Sequence, residues 1–269
     1  MRHWSARLGE DEASIDSPAP MSQRGSLRPL LIAHRTCPKH APENSIAGIR
    51  FADELGADMV EIDVRGTRDL ERVLMHDRST RRTAGGLWIV SRTSLSRIRA
   101  LRLKSTYEHE VASRPPLLRE ALAAVGTRLG VAIEVKDPRV VSGILADIRE
   151  ARMSDRTLLW SYSEQVVKWF VRHAPEIEVS LLRDTRTTKQ HRRLLSDAVA
   201  LGARGLSICW DAVDSAFATE ARTRGLSVYS MCHAVGPDAH GAPDPHAARL
   251  LKGVITDWPA EARAVFAAL

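Results

Sequence analysis

No stretch of this sequence approaches the roughly 18 consecutive apolar residues of a membrane span, so no spanning helix is expected. Cysteine is scarce. Its count of 3 (Cys37, Cys209 and Cys232) is odd and matches no metal-ligand spacing, which argues against a disulfide-stapled secreted domain and a cysteine-ligated metal. Cys37 follows His34-Arg35 closely, but a buried or incidental thiol is the simpler reading, since reactivity needs a depressed pKa. Residues 1–28 are rich in Ser, Asp, Glu, Arg and Pro and lack the apolar core of a signal sequence. A disordered tail is expected there, with cytoplasmic residence as the default. No internal repeat of ~20 to 50 residues is visible, which sets solenoids aside.

What is present is ordinary for a soluble globular protein. The chain has 269 residues, 44% hydrophobic and 27% charged, a length that suits one large α/β barrel or two small domains. Formal net charge is +6, with arginine far outnumbering lysine. Such a field attracts anionic substrates without saying anything about fold.

The stretch from Leu30 to Asp77 organises the rest. An apolar run ends in His34-Arg35, and a helical segment follows, capped by Asn44 or Ser45, with Ala47, Phe51 and Leu55 on one stripe and Gly56 at its end. A second apolar run carries Glu61 and Asp63. In a strand these share a face with α-carbons roughly 6.5 Å apart, close enough to hold one metal ion together. The third run, Val73 to His76, follows too soon for a crossover helix and should return antiparallel as a hairpin. A two-residue turn at Asp69-Leu70 would set His76 directly opposite Asp63, whereas a slip of one residue would send it to the other face.

Further strands are expected near 131–135, 157–161, 178–182, 205–208, 227–230 and 254–256, separated by amphipathic segments such as Val140 to Ala151 and Glu164 to His173. With Leu30 to Ala33 and Met59 to Val64 they predict an eight-stranded (β/α)₈ barrel over residues 29–269, the hairpin arm lying outside the ring. Active residues of such barrels gather at the carboxyl ends of the strands, where His34, Glu61, Asp63 and Glu134 fall, with Lys136 just beyond. Three carboxylates facing one point need a counter-charge, and all-oxygen ligation suits Ca²⁺ or Mg²⁺. Imidazoles titrating near neutrality make His34 and His76 the natural acid and base, and Arg35 and Lys136 supply positive charge for a phosphate.

Several ordered pieces resemble the glycerophosphodiester phosphodiesterases, a branch of the phosphodiesterase TIM barrels. They are His34-Arg35, Pro42-Glu43-Asn44-Ser45, Gly56-Ala57-Asp58, Glu61-Ile62-Asp63-Val64, Thr67-Arg68-Asp69, His76-Asp77, Glu134-Val135-Lys136 and Gly253 to Pro259. The resemblance implies a TIM barrel that cleaves glycerophosphodiesters to glycerol 3-phosphate and an alcohol. It implies Glu61, Asp63 and Glu134 as metal ligands, His34 and His76 as catalytic residues, and Arg35 and Lys136 as substrate contacts. It also implies that the basic segment 78–116 is an excursion over the barrel mouth that shapes substrate choice. The expected partner is a small-molecule phosphodiester, with no nucleic acid and at most peripheral membrane contact. Two alternatives share the constellation: a lysophospholipase D-like enzyme acting on lipids, and a barrel that binds phosphodiesters without turnover. His233, after the seventh strand, is a possible substrate contact. Two positions depart from the family pattern, Thr36 and Leu70, where Gly is usual. A Leu tolerates positive φ poorly, so a looser turn than a two-residue one is in view at Leu70.

Overall fold

Among the described residues, nine strands make one sheet that closes on itself. They are β1 (Leu30–Ala33), β2 (Met59–Gly66), β3 (Arg72–Leu74), β4 (Gly130–Val135), β5 (Thr157–Ser161), β6 (Glu178–Leu182), β7 (Gly205–Cys209), β8 (Ser227–Met231) and β9 (Gly253–Thr256). The computed structural model describes residues 28–104, 113–185, 187–210, 213–231 and 245–267. The expected tail falls almost wholly outside these, as do Cys232, His233 and part of the 78–116 segment.

All strands but β3 are parallel to their neighbours and form a closed ring of eight, in which β1 pairs with both β2 and β9. The expected (β/α)₈ barrel is therefore present. Its strands are buried on both faces, as their near-continuous apolar runs require. One set of side chains, including Ile32, Met59, Ala132, Trp160, Leu182 and Tyr229, fills the barrel interior. The alternate set, including Leu31, Val60, Ile62, Ile133 and Leu181, packs outward under the helices.

Helix α1 (Ile46–Glu54) starts at Ser45, whose hydroxyl accepts the Gly48 N–H at 3.0 Å. It ends where Gly56 takes φ 78°, a conformation open to a residue without Cβ. Its buried face is Gly48, Ile49 and Ala52, not the expected Ala47, Phe51 and Leu55 stripe. A Cβ on Gly48 would lie 2.2 Å from the Thr36 carbonyl oxygen, so the helix approaches β1's end at a point that an apolar count passes over. The remaining helices are α2 (Leu95–Arg99), α3 (Leu118–Val125), α4 (Val141–Glu150), α5 (Glu164–His173), α6 (Thr188–Leu201), α7 (Ser215–Thr223), α8 (Pro245–Leu250) and α9 (Pro259–Ala267). No helix among the described residues is long and apolar enough to cross a membrane.

β2 is longer than β1, and β3 pairs with the edge that β1 leaves uncovered, which is where the hairpin attaches. Its register differs from the expected one. Val64 faces Leu74 and Gly66 faces Arg72, so the residue across from Asp63 is Met75, whose N–H donates to the Asp63 carbonyl at 2.9 Å. The cause lies in the loop. Thr67 pairs with Glu71 across Arg68, Asp69 and Leu70, and Leu70 takes φ 60°. A type I turn closed by a left-handed residue adds one residue relative to a two-residue turn and moves the register by one. Beyond Leu74 the strand ends, so alternation no longer governs His76. The segment after β3 has a small core of its own in Val73, Met75, Ala84, Val90, Ile98, Leu103 and Leu117. At ~1.5–3 kcal/mol for each large side chain buried, that is enough to hold it as a defined structure.

Candidate active site

β2 and β4 run side by side with Asp63 opposite Glu134. With Glu61 two residues earlier on the same face, these carboxylates offer oxygens that all lie within 4.8 Å of one another. All three are buried, at 3%, 0% and 7% exposure for Glu61, Asp63 and Glu134. Burial and the mutual repulsion of the set push the Glu61 carboxyl well above the usual range, and Glu134 is raised for the same reasons. Asp63 differs. Burial acts to raise it, but Lys136, His76, Arg35 and a hydrogen bond from Asn44 outweigh burial and hold it low.

Each carboxylate is fixed from a separate segment. Glu61 Oε2 accepts the Arg35 N–H at 2.7 Å. Asp63 Oδ2 accepts the Asn44 amide at 2.8 Å, while Asn44 Oδ1 accepts the Asp63 N–H at 2.9 Å, a reciprocal pair. Lys136 Nζ stands 2.6 Å from Glu134 Oε1 and 3.1 Å from Asp63 Oδ1. Despite that proximity Asp63 Oδ1 is buried without a hydrogen bond of sound geometry. A hard cation suits such an orphaned oxygen among carboxylates, so the donor set fits Ca²⁺ or Mg²⁺.

The backbone that presents Arg35 is strained. Arg35, Thr36 and Cys37 take φ 43°, 65° and 82° in succession, and a β-branched residue in this region is an outlier. Thr36 is wholly buried, and its hydroxyl accepts the Ser45 N–H at 3.1 Å, which ties the turn to the start of α1. Cys37 is buried beneath, its thiol pushed up to about 12 by desolvation and by Asp257 and Glu261. That fits an inert packing thiol.

Both histidines sit on carboxylates. His34 Nδ1 is 2.7 Å from Asp257 Oδ1, and His76 Nδ1 is 2.8 Å from Asp77 Oδ1. With Nδ1–H donating to the carboxylate, Nε2 of each ring is left to exchange a proton. Asp77 is in turn gripped by Arg82, through Nε at 2.8 Å and Nη2 at 3.1 Å, and the same guanidinium bridges to Glu43 at 2.5 and 2.8 Å. Arg82, with His76, holds the Asp77 carboxyl far below the usual carboxylate range. Arg82 is thus a strut across the mouth rather than a free surface charge. Arg65, beyond Asp63 on β2, donates from Nε at 3.0 Å and Nη2 at 2.7 Å to the His76 carbonyl, fixing the backbone under that histidine.

The carboxylates, His34, His76, Arg35 and Lys136 are thus brought to one mouth. Of the side chains that orient them, Asn44 is a candidate helix cap in the sequence and instead pairs with Asp63, while Glu43, Asp77, Arg82, Arg65 and Asp257 carry no site role there. Asp257 lies in the quoted Gly253 to Pro259 stretch, but only the closure of the ring shows what it faces. Beside Glu61 and Glu134 a cavity of about 120 Å³ opens, lined by Trp160, Tyr162, Leu182, Asp184, Ile208 and Cys209 among others.

Comparison with known proteins places the family and the fold. Residues 34–232 match the model of the glycerophosphoryl diester phosphodiesterase family. The chain is 31% identical over 163 residues to a glycerophosphodiester phosphodiesterase of Caldanaerobacter subterraneus, covering 58% of this chain and 67% of that relative. Matches to several other curated relatives span 65% of their length or less. Among solved structures, a glycerophosphodiester phosphodiesterase from Agrobacterium tumefaciens superposes with TM-score 0.70 at 23% identity, covering 90% of this chain and 100% of that one. An Oleispira antarctica phosphodiesterase in complex with the product sn-glycerol-3-phosphate superposes with TM-score 0.71 at 21% identity, covering 88% of this chain and 96% of that one. With its ring of eight strands and its acidic and histidine-bearing mouth, the chain belongs to the glycerophosphoryl diester phosphodiesterase family, whose members are phosphoric diester hydrolases.

Proposed function

We propose that this chain hydrolyses glycerophosphodiesters to glycerol 3-phosphate and an alcohol, using His34 and His76 as the acid–base pair and a divalent cation, Ca²⁺ or Mg²⁺, held by Glu61, Asp63 and Glu134. The observation that carries this reading is that two imidazoles, each tied through Nδ1 to an aspartate, flank three clustered buried carboxylates at one barrel mouth. A bound divalent cation would polarise a phosphoryl oxygen and offset developing charge. The protein's own groups account for the rest. One imidazole Nε2 takes the proton of the nucleophile, either water or the glycerol 2-hydroxyl with water then opening the cyclic phosphate, and the other gives a proton to the departing oxygen. Asp257 and Asp77 keep those rings oriented and stabilise them when charged. Arg35, pinned at the strained turn, and Lys136 meet the phosphate oxygens as a fork and a point charge. The product bound to the Oleispira antarctica phosphodiesterase supports the substrate class. The direct test is enzymatic release of glycerol 3-phosphate from a panel of glycerophosphodiesters with and without chelator. Absence of release with Ca²⁺ and Mg²⁺ supplied would leave the binding-only alternative.

One observation favours lysophospholipids as further substrates. Leu87, Trp88 and Ile89 stand exposed in succession on the segment after β3, at 76%, 40% and 40%. Turnover of lysophospholipid vesicles that falls on replacing all three by Ser would support that reading.

A further inference from the structure

A second cavity, of about 460 Å³, lies beside the mouth and is lined by four arginines from four separate segments. Arg65 comes from β2, Arg78 from the loop after β3, Arg92 from the turn Val90–Arg92, and Arg139 from the turn Pro138–Val140 beyond β4. The one carboxylate in the lining is Asp137, and Arg139 occupies it from Nε at 3.0 Å, Nη2 at 2.6 Å and the backbone N–H at 3.0 Å. Arg65 spends Nε and Nη2 on the His76 carbonyl and keeps Nη1. Among the described residues Arg65, Arg78 and Arg92 have no carboxylate in ion-pair range. Three guanidiniums at one concavity repel one another.

We propose that this cavity is a second anion subsite, in which Arg65, Arg78 and Arg92 take a phosphate monoester carried on the alcohol portion of the phosphodiester. The assignment rests on the hydrolase reading above. Charge selects the group, because a phosphate monoester near its dianionic form offsets three unpaired cations better than a carboxylate does, and guanidiniums fit its oxygens as forks. Size selects a small group, because the space is a half-open concavity of limited volume and not a stripe that would track a polymer. Position ties it to the reaction. Arg65 shares the inward face of β2 with Asp63, roughly 6.5 Å along the strand, and holds the carbonyl of His76, so the subsite adjoins the acidic cluster and His76.

The test uses the full chain and the variant R78Q/R92Q, both changes falling on exposed side chains and the fold being checked by thermal melt. Glycerophosphoglycerol is compared with the same diester bearing a terminal phosphate on its alcohol glycerol. The preference of the wild type for the phosphorylated diester, as a ratio of kcat/KM values, should fall about ten- to a hundredfold in R78Q/R92Q, through KM. An unchanged ratio overturns the proposal. In parallel, inorganic phosphate is titrated calorimetrically at low salt in the presence of chelator. Binding should be weakened about tenfold or more in R78Q/R92Q. Equal affinity in wild type and R78Q/R92Q overturns it. If the wild type cleaves neither diester, the hydrolase reading fails and the phosphate titration alone decides the subsite. Loss of sedimentation with phosphatidic acid vesicles in R78Q/R92Q, with an unchanged kinetic ratio, assigns the cavity to a membrane surface and overturns the substrate assignment.

Discussion

His34 Nδ1 lies 2.7 Å from Asp257 Oδ1 across 223 residues of sequence, a contact made by the seam that closes the barrel. β1 and β9 pair with Ala33 opposite Thr256, so the residues that follow each strand meet at the mouth. Replacing Asp257 by Asn removes the charge that orients and supports the imidazolium. D257N should lose roughly 10²-fold in kcat, and adding H34A should cost little more, because the two act as a unit. Kinetics of the single and double variants check this, and near wild-type kcat in D257N would make the pair structural.

Arg82 should act through Asp77 and Glu43 on His76. Asp77 is depressed in the folded state, so it contributes stability at pH values above its unfolded pKa of ~4. That contribution is lost as pH falls through the folded value. R82M should therefore be less stable than wild type near neutrality by about 1 kcal/mol, a figure discounted for the partial exposure of both partners. The difference should shrink in acid as Asp77 protonates in the variant. Chemical denaturation from pH 3 to 7 reads this out, and a difference constant with pH would dissociate Arg82 from Asp77.

Chelator should abolish turnover and either Mg²⁺ or Ca²⁺ restore it. Stability carries an independent signature. Glu61 and Glu134 have raised folded pKa values, so in chelator the folded state holds protons that the unfolded chain has lost. Stability should then fall as pH rises above ~4.3 toward the folded values. E61Q should raise Tm in chelator and at the same time reduce the Tm increase on adding the cation. A full cation-induced shift in E61Q would remove Glu61 from the ligand set.

Leu70, 50% exposed at φ 60°, occupies the left-handed position of the three-residue hairpin loop. L70G should relieve the steric cost, partly offset by chain entropy, for a net gain of about 0.5–1 kcal/mol. Denaturant unfolding tests it. A loss of stability would mean that Leu70 makes contacts worth more than its strain.

G48A places a methyl group 2.2 Å from the Thr36 carbonyl oxygen, a backbone atom that cannot step aside without moving the strained turn. The variant should be destabilised by about 2–3 kcal/mol or more, and kcat should fall with it because Arg35 is displaced. Wild-type stability in G48A would show that the turn is freer than its three consecutive positive φ values indicate.

The sequence alone determined the ring of eight strands and most of the residues at its mouth. Apolar runs buried on both faces are local signals, and they place His34 just past the end of β1, Glu134 next to the end of β4, and Glu61 and Asp63 two apart on one face of β2. Tertiary structure decided what those residues touch. The hairpin register turned on a single loop residue, Leu70, because pairing shifts by one whenever turn type changes. The inward face of α1 was set by close approach at Gly48, which carries no hydrophobic signal. Arg82 reads as one more surface cation until the segment after β3 packs and delivers it to Glu43 and Asp77. Asp257 meets His34 only on barrel closure. Periodicity reports which face of an element avoids water, whereas a charged side chain's partner depends on the register between distant segments, which the energy of the whole packed fold selects.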